Sequence, residues 1–161
     1  MIISQPKTID ALAFANDALR DQVRAGRGDW PSIMHSISLA QRIGWSSSSI
    51  LFQDESCDPP KGYPISREDM IVIALLHDVV EDGNDGRIVT VLEMKEMFGE
   101  EITKHVLSLT VPLKEDFPNR THEELREMYN TQIAASSVQI QILKCFDILL
   151  NSFTMEEAKP K

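Results

Sequence analysis

Apolar residues recur along most of the chain at the three- and four-residue intervals of an α-helix, and no segment alternates long enough to demand a sheet. Ile9, Leu12, Asn16, Leu19 and Val23 share one face of a first predicted helix, interrupted only at Asn16 and ended by Gly26. Pro31 suits the first turn of a second. That helix carries His35, Leu39 and Arg42 on one side and Ile33, Ile37 and Ala40 on another, until Gly44 closes it. The period then disappears. Residues 45–65, with four consecutive serines from Ser46 and the run Asp58-Pro59-Pro60, read as a surface loop.

Three further starts show a hydroxyl residue three positions before an acid: Ser66 with Asp69, Thr90 with Glu93, and Thr121 with Glu124. In this arrangement the two side chains satisfy the free amides of a first helical turn. Gly83 and Gly99 end the first two of these helices, and Pro112 ends one that runs from about Glu100. A last helix is predicted from about Val138 to Phe153. The fold class is therefore all-α, a compact helical bundle.

Composition adds scale. A chain of 161 residues, 42% hydrophobic and 25% charged, matches one globular domain over 1–161 with a core of its own. A formal charge of −9 argues against a nucleic-acid polymer as partner, because such binding needs a basic surface. No run approaches the roughly 20 apolar residues that cross a bilayer, and the first ten residues lack a leader pattern, so no membrane partner and a cytoplasmic location are expected. Two cysteines make no disulfide framework. Cys57 falls in the predicted loop, and Cys145, in an apolar run, is expected to pack as a small apolar residue.

The predicted helix 67–82 carries the first candidate chemistry. Met70 to Leu76 is apolar on every side, which marks a helix surrounded by others. His77, Asp78, Glu81 and Asp82 then arrive together, and helical spacing stacks Glu81 on His77 and Asp82 on Asp78. Three carboxylates drawn inward repel one another and need a positive partner, for which a divalent cation is the natural candidate. The competing reading is a helix end that frays into solvent. In the last helix Lys144, Asp147 and Asn151 form one polar stripe among apolar neighbours. An ion pair between Lys144 and Asp147 is the plain alternative there, and it leaves Asn151 unexplained.

His35, then His77-Asp78 closing an apolar helix, then Asp147 resembles the H…HD…D signature of the HD-domain metal-dependent phosphohydrolases. The string from Ala74 to Gly83, ALLHDVVEDG, is similar to the A-L-L-H-D-x-x-E-D-T motif of the (p)ppGpp hydrolases, and Lys144, Asp147 and Asn151 match K-x-A-D-x-x-x-N. Arg24, Pro31, Phe98-Gly99 and Thr110 fall in order with that pattern, so the likeness spans nearly the whole chain.

The resemblance implies one divalent cation, manganese first with Fe, Zn, Mg or Ni as substitutes, held by His35, His77, Asp78 and Asp147. It further implies Glu81 and Asp82 as the groups that orient a water or take its proton. Arg24, Lys144 and Asn151 are the substrate-binding candidates, with Arg87 and Lys114 weaker ones, for a small anionic nucleotide. Departures concern the substrate: Gly83 replaces the Thr of the motif, Ile148 a basic residue, Ser32 a Tyr, and Ala25 the second member of a basic pair. Three functions follow. One is a hydrolase releasing diphosphate from guanosine 3',5'-bis(diphosphate) or a relative. The second is an HD phosphohydrolase of another nucleotide or phosphoester, and the third a catalytically silent nucleotide-binding regulatory module.

Plainer readings attach to other residues. His105 is a half-buried filler and His122 a solvated capping-turn residue, while Trp30 and Trp45 pack on the second helix or line a pocket. Met94, Met97 and Met128 belong to the core or its edge.

Overall fold

The computed structural model describes residues 6–23, 30–46, 65–80 and 88–157. Most of the expected 45–65 loop lies outside them, as do Cys57, Arg24, Ala25, Gly26, Glu81, Asp82, Gly83 and Arg87. Among the described residues there are seven helices: α1 (Pro6–Ala18), α2 (Ile33–Trp45), α3 (Arg67–Leu76), α4 (Val91–Phe98), α5 (Glu100–Leu109), α6 (His122–Ala134) and α7 (Val138–Glu157). An isolated bridge between Val23 and Pro31 is the extended pairing among these residues.

The centre is α3. Met70 to Leu76 are all buried, five of them completely, with α1, α2 and α5 packed around them. Each such aliphatic side chain contributes on the order of 1.5–3 kcal/mol. The start of α3 is set by Ser66, whose Oγ accepts from Asp69 N at 3.1 Å, and Lys7 of α1 reaches the Asp69 carboxylate. Thr90 caps α4 in the same way. Thr121 and Glu124 form the full reciprocal pair at the head of α6. Gly99 divides α4 from α5 at a φ of 84°, a left-handed turn that glycine adopts without strain.

The first helix differs from expectation in both length and face. It ends at Ala18, followed by a turn in which Asp21 takes a φ of 65°, and its buried side is Thr8, Ala11, Phe14, Ala15, Ala18 and Leu19. Ile9 and Val23 are about half exposed. Small alanines, overlooked by a count of large apolar residues, let α1 lie close on α3. In α2, Gly44 is a buried helical residue and the helix continues through Trp45; Ile43 rather than Arg42 completes the inner face with His35, Ser36 and Leu39.

The third difference is the end of α3. The α-helix stops at Leu76, and residues 77–80 form turns with Val79 N donating to Leu76 O at 3.2 Å. The expected helical stacking of Glu81 on His77 and Asp82 on Asp78 has no continuous helix beneath it. Cys145 is exposed, because α7 turns Gln139, Ile140, Leu143 and Asp147 inward and a residue two positions from two of them points away. Met94 is core and Met128 half-buried, but Met97 is 52% exposed and Trp45 72%.

One buried polar contact fixes α3 against α7. Gln139 is fully buried; its amide donates to Ile65 O at 2.7 Å and its oxygen accepts from Ile65 N at 3.0 Å. Both polar ends of the side chain are satisfied, as burial requires. The backbone just before α3 is thereby tied to the helix that carries Asp147. No helix among the described residues is long and apolar enough to cross a membrane.

Candidate metal centre

His35 from α2, His77 at the end of α3 and Asp147 from α7 meet in the interior, each only 3% exposed. Their ligand atoms lie within 4.8 Å of one another. That is close enough for a shared ion bonded at about 2.1 Å to each, with small adjustments. Three helices deliver them, so 112 residues of sequence separate His35 from its hydrogen-bond partner. His35 Nε2 lies 2.7 Å from Asp147 Oδ1. Asp78 joins through His77, its Oδ1 2.9 Å from His77 Nε2.

The orientation of His77 decides what the group is suited to hold. Its Nδ1 faces the Ala74 carbonyl at 2.9 Å, so that nitrogen carries a proton and Nε2 is turned toward the carboxylates. Nε2 is buried and makes no aligned hydrogen bond; the approaches of Asp78 and of Asp147 Oδ1, at 3.7 Å, fall off the ring's N–H direction. A buried ring nitrogen left without a directed partner, beside two acids, is what a neutral imidazole ligand to a cation looks like. The residues present fit a divalent ion.

Electrostatics point the same way. Burial pushes the His77 imidazole toward the neutral form, but Asp78 and Asp147 together outweigh it and raise the pKa to about 10. Burial likewise opposes charge on Asp147, yet the bond from His35, the His77 ring and the Lys144 ammonium hold its carboxyl well below the usual carboxylate range. Asp78 is also lowered: burial opposes its charge and His77 reverses the effect. The cluster demands positive charge and, without a metal, takes it from a proton and a lysine.

The second polar stripe converges on the same carboxylate. Lys144 Nζ lies 2.8 Å from Asp147 Oδ2, and Asn151 Nδ2 donates to Asp147 Oδ1 at 3.0 Å. The plain ion pair is thus present, and Asn151 joins it on the same carboxylate that faces the two histidines. Arg24, Glu81 and Asp82 lie outside the described residues. Lys114 is exposed and donates to the carbonyls of Pro118 and Arg120, within its own loop. His105 is half-buried and His122 exposed. Tyr129, which no spacing in the sequence connects to the site, sets its ring 5.2 Å from Lys144 Nζ.

A solved structure aligns with 98% of this chain and 74% of its own, with a TM-score of 0.70 and 21% identity. With seven helices and no named strand among the described residues, the chain shares a compact all-α fold with that structure, the fold class its sequence resemblance implies. That neighbour is described as a metazoan ortholog of SpoT that hydrolyzes ppGpp and plays a role in starvation responses. No family model matches the chain, nor does any curated protein.

Proposed function

We propose that this chain is a metal-dependent phosphohydrolase of the HD type that hydrolyses guanosine 3',5'-bis(diphosphate), or a related nucleotide, with release of diphosphate. The observation that carries the reading is the buried convergence of His35, His77 and Asp147, with His77 Nε2 lacking a directed partner. Support for the substrate class comes from the fold shared with a protein described as hydrolysing ppGpp.

His35, His77, Asp78 and Asp147 would hold one divalent cation, manganese first among the choices. Such an ion lowers the pKa of a water and polarises a phosphoryl oxygen. The chain's own residues then divide the remaining work. Ala74 O fixes the His77 ring, and Lys144 and Asn151 hold the Asp147 carboxylate in place. Glu81 or Asp82 takes the proton of the attacking water as general base. Arg24 offsets the charge on the departing diphosphate. Lys144 and Asn151, both only partly buried, border the site where the nucleotide would lie. A small anionic substrate met in the cytoplasm suits an acidic protein whose positive charge is local.

A second reading, an HD phosphohydrolase of a different phosphoester, is favoured by two of the departures. Ile148 stands 55% exposed where the family pattern has a cation, and Ser32 is buried where it has a Tyr. Metal analysis of the purified protein, then a phosphate and diphosphate release panel over guanine nucleotides and other phosphoesters, tests both readings. Diphosphate release from guanosine 3',5'-bis(diphosphate), lost in Asp78→Ala, is the expected result. Turnover confined to other phosphoesters selects the second reading. Bound metal with no turnover removes both and leaves a silent binding module.

A further inference from the structure

Tyr129 belongs to α6, a helix that carries none of the candidate ligands, yet one contact pins it to α5 and another reaches the lysine beside the metal centre. Its hydroxyl donates at 2.9 Å to the carbonyl of Leu109, the last residue of α5, where a helix end leaves acceptors without helical partners. Its ring lies 5.2 Å from Lys144 Nζ, inside the roughly 6 Å reach of a cation–π contact.

Lys144 in turn bonds one oxygen of Asp147, Oδ2. The other, Oδ1, faces the two imidazoles and Asn151. A lysine side chain loses much of its rotamer freedom when fixed. The aromatic wall, itself pinned to α5, restricts Lys144 before any ligand arrives.

We propose that Tyr129 is a positioning residue for the metal centre: it fixes Lys144 so that the ammonium occupies Asp147 Oδ2 and leaves Oδ1 directed at the cation. This rests on the metal-centre reading above. Outer groups of this kind orient a ligating carboxylate, and their removal typically weakens metal affinity about 10–100-fold.

The test is a Co²⁺ titration of the purified full chain followed by visible absorption, with folding checked by circular dichroism. Tyr129→Leu is expected to weaken Co²⁺ binding about tenfold, at the low end of that range, and to alter the absorption bands of the bound ion. Tyr129→Phe, which keeps the ring but loses the hydroxyl bonded to Leu109 O, is expected to weaken binding less than Tyr129→Leu. The double variant Tyr129→Leu with Lys144→Met binds no more weakly than Lys144→Met alone, because both act through one contact.

Wild-type affinity and spectrum in a folded Tyr129→Leu, or additive losses in the double variant, overturn the proposal. If Tyr129→Leu does not fold, Tyr129→Met supplies the same comparison. A wild-type protein that takes up no Co²⁺ overturns the metal-centre reading itself. Uptake lost in Asp147→Ala but unchanged in Tyr129→Leu overturns only the positioning role.

Discussion

Seven consecutive residues of α3, Met70 to Leu76, are buried, whereas Leu125 is the single residue of α6 buried to that degree. The two helices are held by different physics. Dispersion and exclusion of water keep α3 in place from every side. Hydrogen bonds keep α6: the Thr121–Glu124 cap at its head, Tyr129 to Leu109 O, and Gln132 Nε2 to the carbonyls of Leu107, Ser108 and Thr110. The contrast shows where a site of convergent charges can be built. His77 and Asp78 sit at the outlet of a helix whose last seven residues are all buried. Among the described residues, the peripheral helix reaches the same site through the Tyr129 ring and Lys144.

The sharpest way to break this contrast is at the convergence itself. Asp147→Ala removes the partner of His35, Lys144 and Asn151 at once, and metal uptake measured on the purified protein is expected to disappear. Uptake equal to wild type would show that the buried cluster is an ordinary polar core. Next comes the body of α3. Ile73, fully buried, should cost about 2–5 kcal/mol in urea unfolding when changed to alanine, through lost burial and the cavity left behind. A cost below about 1 kcal/mol would mean that α3 repacks more easily than its burial indicates.

The α6 side predicts smaller numbers. Thr121→Ala deletes one half of the reciprocal cap and should lower stability by about 1 kcal/mol while leaving metal uptake unchanged. A change in uptake of the folded variant would make α6 more than a peripheral support.

Smaller again is a pH effect. Burial holds the half-buried His105 imidazole below its ordinary value, so the folded state resists its protonation. Its contribution is complete above about pH 6.5 and is lost as pH falls through the lower folded value. Unfolding midpoints of His105→Gln should therefore decline less than wild type between pH 7 and 5, and parallel curves would remove the assignment. Leu92, 66% exposed on α4, marks the floor: Leu92→Gln should stay within about 0.5 kcal/mol.

Much of this was legible before any coordinates. The caps at Ser66, Thr90 and Thr121 are local patterns, because a hydroxyl reaches an amide only three residues on; the hydroxyl half forms at all three and the full reciprocal pair at Thr121–Glu124. The all-apolar run from Met70 to Leu76 announced a surrounded helix. The face of α1 was misread because alanines signal close approach weakly, and the end of α3 because His77 and Asp78 carry no helix-stopping residue of their own. Cys145 looked buried by its neighbours in sequence, although helical rotation turns it outward.

What the sequence determined by itself is local: the helical period, the capped starts, and the motif residues His35, His77-Asp78 and Asp147. These follow from interactions over three or four positions, or from a pattern of residue types. The bonds from Lys144 and Asn151 to Asp147, three and four residues apart on α7, are local as well, but tertiary structure alone decided that His35 Nε2 lies 2.7 Å from Asp147 Oδ1 and that Tyr129 walls Lys144 in. Those contacts join different helices or depend on how α7 is rotated. Their geometry is set by the packing of α2, α3 and α7 around one core, which no spacing along the chain encodes.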